Sequence, residues 1–594
     1  MKKLWIWALS LSLSCTGMAA RRPNVILIMT DDQGYGDIAA HGNPQIQTPE
    51  MDRLHSESVR LTDFHVDPTC APTRGALMTG KYSHRARVWH TTHGGNHLRK
   101  TEVTMGDVFK HNGYDTAMFG KWHLGANYPY RPIDRGFDEW IGLGDGGPGT
   151  TDDWFWNDRV NDTYWHNGER EFREGYNPDV FFDAAIDYVK TRSSEKPFFV
   201  YLPTYAPHTP CTVPDQTMAD KYKQIGVPAD RAFFYAMIER VDQNIGRLRA
   251  VLADENLSEN TLVIFMTDNG GKFGRKSFNA GMSGGKGSSA DGGHRVPCFF
   301  CWPGGLLGEP RDIPTLSAHI DLLPTLVELC GMELPRSIDF DGTSLVPLLR
   351  GTSKKWPERT LFVEGQRSVE PHKGSRSAVM TQKWRLVGQK KLYAIQEDPG
   401  QAHDVSGQFP EVVKQLKDEF NQYWEHVTPD HRSYPAPIVG TPYDEEILLG
   451  CSEYREKCGF AHSAAAKADE VEGIWHIEAA TAGRYEFEVY RWPRESGDGT
   501  MQGIPTVTKT VDAWELRPRT HLIYASEFKK LPVASVSLKV GDFNAMRSVS
   551  AADKSVVFEV NLPKGKTTVE SIFYDESGKR LTHAYYVYVR KIAE

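Results

Sequence analysis

The chain has 594 residues, 40% hydrophobic and 25% charged, with a net charge of −8 and eight cysteines. That composition is globular, and at roughly 150 residues per domain it predicts two or three domains. The acidic balance excludes a nucleic-acid or anionic-membrane surface built on bulk basic charge. Abundant aromatic residues exclude disorder as the main state, and eight cysteines are too few for a disulfide scaffold at this length.

Residues 1–20 read as an export signal. Lys2 and Lys3 precede the apolar run Leu4–Ser14, which is too short to span a bilayer, and Gly17-Met18-Ala19-Ala20 supplies small residues for cleavage. Periplasmic, cell-surface or secreted localisation follows, with lipid attachment at Cys15 as the less favoured alternative. No other window reaches transmembrane length.

Four apolar runs then read as strands buried on both faces: Asn24–Met29, Thr116–Phe119, Pro197–Leu202 and Thr261–Met266. Thr48-Pro49 starts a helix, and Phe234, Met237, Val241, Ile245, Leu248 and Val251 recur at helical spacing. The alternation predicts an α/β fold with a doubly wound, mainly parallel sheet over residues 21–355. Beyond it the sequence predicts a smaller α+β subdomain (356–435) with a helix over Pro410–His426, then a connector (436–470). A terminal all-β sandwich (471–594) is expected from its alternating segments.

Polar side chains follow each of the four runs: Asp31-Asp32, Lys121 and His123, His208, and Asp268-Asn269. Ligands of open α/β sheets bind outside the carboxyl ends of the strands, so these residues are expected to share one site. Asp and Asn at strand ends ordinarily serve as turn formers. Two such pairs after two buried runs also make an oxygen-only ligand set for a hard cation such as Ca²⁺ or Mg²⁺. In Pro68-Thr-Cys70-Ala-Pro-Thr-Arg74, a cysteine stands at an apparent helix start, where anions are favoured and thiols are activated.

At this point the sequence resembles the type I sulfatases of the alkaline phosphatase superfamily. Cys70-x-Pro72-x-Arg74 with Thr79-Gly80 matches the first signature of that family, and Gly113 to His123 the second. Thr267-Asp-Asn-Gly270, Gly285-Lys286, Asp291 to Pro297, Asp321 to Thr325 and Asp341 to Leu345 follow in order, so the resemblance covers roughly residues 22–430.

It implies that Cys70 is converted to formylglycine by a formylglycine-generating or sulfatase-maturating enzyme, its hydrate supplying the nucleophile. It further implies that Asp31, Asp32, Asp268 and Asn269 hold one Ca²⁺ that also contacts the modified Cys70. By the same resemblance Arg74 and Lys121 clamp the hydrate and sulfate, and His123 serves as base. His208 and Lys286 bind sulfate and protonate the leaving oxygen. Phe119, Asp291 and His294 depart from the usual pattern, and Asp291 shortens a carboxylate expected to support the Lys286 loop.

Other features are less specific. His90, His93 and His97 read as polar loop residues near a sugar pocket more readily than as a zinc site. Trp154, Trp156, Tyr164 and Trp165 suit either carbohydrate stacking or loop packing. Cys298 and Cys301 are expected on opposite faces of a strand. Cys451 and Cys458 can pair as a disulfide in an exported chain, and Asn161 and Asn256 lie in glycosylation sequons. The expected function is hydrolysis of an O-sulfate on a sulfated glycan, with galactose or N-acetylgalactosamine on mucin or glycosaminoglycan chains. A phosphoester or phosphonate-ester hydrolase, and a glycan-binding protein, are the alternatives.

Overall fold

The computed structural model describes residues 22–192, 195–305, 307–353, 355–428, 434–506 and 528–593. The export signal and Cys15 lie outside these residues.

The main sheet has ten strands: β1 (Asn24–Thr30), β2 (Val59–Leu61), β3 (Asp115–Gly120), β4 (Glu139–Gly142), β5 (Val160–His166), β6 (Glu169–Tyr176), β7 (Phe198–Pro203), β8 (Thr261–Thr267), β9 (Cys298–Cys301) and β10 (Arg311–Ile313). Their order is β10-β2-β9-β8-β1-β7-β3-β4-β5-β6. The central five, β8-β1-β7-β3-β4, are parallel. Their carboxyl ends therefore open on the same edge. This is the doubly wound α/β architecture expected from the four apolar runs.

Those runs are continuous because both faces of the sheet are covered. Ile26, Ile28, Phe119, Val200, Leu202, Val263 and Phe265 point to one side, against helices Asn177–Lys190 and Ala229–Asp254. Val25, Leu27, Met118, Phe199, Tyr201, Leu262 and Ile264 point to the other, against α1 (Cys70–Thr79) and helices Met105–His111 and Leu322–Leu329. The large Phe119 fits by packing edge-on to Tyr188, centroids 5.8 Å apart. Cys298 joins one of these cores and Cys301 the other, on opposite faces of β9.

A four-stranded antiparallel sheet (Leu361–Glu364, Ser377–Met380, Trp384–Val387, Lys391–Ala394) follows. Helix Pro410–Val427 packs Leu416, Phe420 and Tyr423 on Val379, Leu386 and Leu392 of that sheet. The terminal module is two antiparallel-rich sheets closing on one core that includes Trp475, Ile477, Phe487, Phe558, Phe573 and Val587.

Residues 436–470 differ from the expected connector. Ile438–Val439 and Glu446–Gly450 are strands, one in each sheet of the terminal module, and Ser463–Lys467 is a short helix. Cys451, Tyr454 and Ala464–Ala466 sit in the module's core. These elements are too short to show a periodic pattern, and their partners are distant in the chain: Ile438–Val439 pairs with Glu478–Ala479, and Glu446–Gly450 with Tyr586–Ala593. Cys451 and Cys458 are free thiols: Cys458 Sγ lies 3.3 Å from His93 Nε2, and Cys451 Sγ approaches the Gly459 carbonyl at 3.4 Å. Among the described residues no helix is long and apolar enough to cross a membrane.

Candidate active site

The four strand ends deliver their polar residues to one place. Asp31 and Asp32 follow β1, Lys121 and His123 follow β3, His208 follows β7, and Asp268 and Asn269 follow β8. Cys70 opens α1 and is 3% exposed, with Arg74 one turn along the same helix.

Three carboxylates face three cations. Arg74 donates to Asp268 Oδ2 at 2.9 Å and to Asp31 Oδ2 at 3.4 Å. Its second nitrogen donates to the Lys121 carbonyl at 2.6 Å. Lys121 Nζ donates to Asp31 Oδ2 at 2.6 Å, and Lys286 Nζ donates to Asp32 Oδ1. Burial alone raises the Asp31 carboxyl, but Lys121, His208, Arg74 and Lys286 hold it well below the usual carboxylate range. Asp32 is also lowered, burial being outweighed by Lys286 and His208. Asp268 goes the other way: burial and Asp31 push it up against the pull of Arg74.

Within this ring three buried oxygens have no hydrogen-bond partner: Asp31 Oδ1, Asp32 Oδ2 and Asn269 Oδ1. Buried polar atoms are nearly always satisfied, so unpartnered oxygens from three side chains of one site call for a ligand. Ligand atoms of Asp31, Cys70 and Asp268 also fall within 4.8 Å of one another. The oxygens of Asp31, Asp32, Asp268 and Asn269, taken without the Cys70 sulfur, fit a hard divalent cation. The Asn269 amide is oriented for that role, because its Nδ2 donates to Asp32 Oδ1 at 3.0 Å and leaves its oxygen free.

The histidines are fixed by carbonyls, which only accept. His123 Nε2 lies 2.9 Å from the Thr91 carbonyl, so the proton sits there and Nδ1 is a bare acceptor, buried and unpartnered. Burial, reinforced by Lys121, pushes His123 down to about 3, which keeps it neutral. His208 Nδ1 lies 2.7 Å from the Thr209 carbonyl and 2.8 Å from the Tyr205 hydroxyl, so its Nε2 faces Asp32 Oδ2 at 3.8 Å. Burial pushes His208 down to about 3, partly offset by Asp32. Asp32 (φ 70°) and His123 (φ 62°) both occupy the left-handed region, which costs about 1–3 kcal/mol for such residues and is tolerated where the surroundings enforce it.

Tyr205, Arg159 and Arg385 support the site without a sequence signal of their own. Tyr205 holds His208 and is itself held by Arg159, whose Nη2 donates to its hydroxyl at 3.2 Å. Arg385 donates through Nε to the Asp291 carboxylate at 3.2 Å and through Nη2 to Asp63 at 2.8 Å, so a strand of the α+β subdomain clamps the loop carrying Lys286. His294 joins this cluster through His65, 2.9 Å between their Nδ1 atoms.

Of the weaker signals, His90 lines the cavity above Cys70, whereas His97 does not and lies buried 3.5 Å from Glu453. The aromatic group Trp154, Trp156, Tyr164 and Trp165 does not line this cavity. Arg170 stacks on Trp165 at 3.7 Å, Trp156 donates to the Glu495 carbonyl at 2.8 Å, and Tyr164 is fully buried. These rings pack loops together and join the α/β domain to the terminal module.

Comparison with known proteins places the chain in a family. The Sulfatase family model matches residues 23–332, and the model for the C-terminal region of N-sulphoglucosamine sulphohydrolase matches residues 289–426. Human arylsulfatase A is 31% identical over 471 residues, covering 69% of this chain and 89% of its own. Dog N-acetylgalactosamine-6-sulfatase is 29% identical over 379 residues, covering 58% of this chain and 70% of its own. The crystal structure of Ps i-CgsB superposes with a TM-score of 0.62 at 30% identity, covering 69% of this chain and 94% of that one. The same protein has been solved in complex with k-i-k-neocarrahexaose. The chain belongs to the sulfatase family and is an enzyme that hydrolyses sulfate esters.

Proposed function

We propose that this sulfatase is exported and removes an O-sulfate from a sulfated carbohydrate, with galactose or N-acetylgalactosamine on mucin or glycosaminoglycan chains as the sugar class. It does so with formylglycine made from Cys70 by a maturating enzyme and with one Ca²⁺ held by Asp31, Asp32, Asp268 and Asn269. The observation that carries this reading is the trio of buried, unpartnered oxygens beside Cys70, ringed by the buried cations Arg74 and Lys121 and the partly buried Lys286. The sugar class is supported by the relatives named for N-acetylgalactosamine 6-sulfate and solved with a neocarrahexaose.

When present, the aldehyde hydrate at position 70 supplies a nucleophilic hydroxyl and the divalent cation offsets negative charge on the sulfate. The chain's own residues do the rest. Arg74 and Lys121 are oriented by their carboxylates, so they meet the sulfate oxygens without reorganising. His123, neutral with Nδ1 bare, accepts a proton. His208 Nε2 and Lys286 Nζ, both beside Asp32, face the leaving oxygen. A sulfate anion arriving there favours the imidazolium of His208, the form that donates a proton to a poor alkoxide leaving group.

The test is peptide mass spectrometry for loss of the Cys70 thiol in favour of an aldehyde, followed by sulfate release from a panel of sulfated galactose and N-acetylgalactosamine saccharides. Aryl sulfate and aryl phosphate are compared in parallel. Modified protein that leaves every saccharide intact, or that prefers the phosphate, overturns the reading.

A further inference from the structure

The cavity above Cys70 encloses about 910 Å³, near the upper end of the ~300–1,000 Å³ usual for ligand pockets. Part of its wall lies outside the region the family models match, which ends at residue 426. That part is the segment 457–471 of the terminal module, which lines the same cavity as Lys121, His123, His208 and Lys286.

The segment is pinned from both sides. The His462 amide donates to the Gly149 carbonyl at 3.0 Å, and Ala461 bridges to Thr150 of the catalytic domain. From the module, Tyr586 Oη lies 2.7 Å from His462 Nδ1, and the Gly459 amide donates to the Cys451 carbonyl at 3.1 Å. A side chain at Gly459 would run into Cys451 Sγ at 2.7 Å, so the backbone passes as close to the module's core as it can.

Phe460 lies within this pinned stretch but takes no part in the anchoring. Its ring is 46% exposed and lines the main cavity. It also lines a small adjoining cavity together with His123, Asn96 and Asp145. An aromatic face held on a fixed backbone beside acceptors and amides is suited to the apolar face of a sugar ring whose hydroxyls meet the polar groups.

We infer that Phe460 is a specificity-determining residue for desulfation, a platform for the sugar ring that bears or adjoins the scissile sulfate, supplied by the terminal module and not by the catalytic sheet. This rests on the sugar-sulfate reading above. An aryl sulfate, whose leaving group has no saccharide to seat, makes less use of that platform.

The test compares wild type, Phe460→Ala and Phe460→Tyr, each checked for an unshifted melting temperature. The quantity read is kcat/KM on sulfated galactose and N-acetylgalactosamine oligosaccharides divided by kcat/KM on 4-methylumbelliferyl sulfate. The ratio is expected to fall about tenfold in Phe460→Ala and to recover to within about twofold in Phe460→Tyr, the loss and return of one stacking contact. An unchanged ratio in Phe460→Ala overturns the inference while leaving the sulfatase reading intact. A wild type that cleaves the aryl sulfate and none of the oligosaccharides overturns the sugar reading, and this inference with it.

Discussion

Lys121 Nζ donates to Asp31 Oδ2 at 2.6 Å in a pair that is 1% and 0% exposed. It joins the carboxyl ends of β3 and β1 across the intervening β7, so one contact fixes the cation of the proposed sulfate clamp and holds two loops of the site. Replacing Lys121 by Ala removes a preorganised charge of a kind that contributes about 10²–10³ in rate. Sulfate release by Lys121→Ala is expected to fall by that factor in kcat/KM. Near wild-type turnover in the folded variant would count against the proposed clamp.

The three unpartnered oxygens predict a second result. Exhaustive dialysis against a calcium chelator should lower the melting temperature, and added Ca²⁺ should restore it. A ligand at a hundred times its Kd stabilises the fold by about 2.7 kcal/mol. Asp32→Asn should weaken this response by removing one ligand charge. A melting curve indifferent to chelator and calcium would remove the cation from the site.

The Arg385 cluster predicts a pH dependence. Burial opposes ionisation of Asp63 and Asp291, yet Arg385 lowers both below the ordinary carboxylate value. Depressed carboxylates stabilise the fold above their unfolded pKa, and this is lost as pH falls through the folded values. Arg385→Met leaves the buried Asp291 without its cation and Asp63 with only His65, and breaking a buried pair in this way costs about 3–5 kcal/mol at neutral pH. The gap in stability between wild type and Arg385→Met should therefore be widest near neutrality and narrow in acid. A gap that is constant with pH would show that Arg385 acts by packing alone.

Gly270 follows Asn269, one of the proposed metal ligands, where two loops touch. A Cβ there would lie 1.9 Å from the Gly292 carbonyl oxygen, and the Gly270 amide donates to the Gly293 carbonyl at 2.9 Å. Gly270→Ala must displace one of these loops. Because a shift of about 1 Å in a site costs up to about 10²-fold, sulfate release should fall at least tenfold while most of the fold persists. Crystallography or sulfate-release kinetics on the variant would show whether the loops move apart.

The catalytic sheet was legible from Asn24–Met29, Thr116–Phe119, Pro197–Leu202 and Thr261–Met266, because strands covered on both faces are written as unbroken apolar runs. The polar residues at their ends were legible for the same reason, since only there does the chain leave the core. Tyr205, Arg159 and Arg385 were not: each acts through a partner far away in the chain or in a loop with no pattern of its own. The segment 436–470 was misjudged because its strands span two to five residues and read as loop until their partners are in place.

Local chemistry, then, is carried in the order of residues. Cys70-x-Pro72-x-Arg74, the acid pairs and the Lys-x-His step each name a function from a few neighbouring positions. What folding alone settles is which oxygens are left unpaired, which histidine nitrogen carries the proton, and that a loop from the terminal module closes the pocket. The first and the last depend on contacts between residues hundreds of positions apart, and the histidines on which nearby carbonyl the folded loop turns toward them. Burial and hydrogen bonding, which decide protonation and orientation, are properties of that assembled neighbourhood.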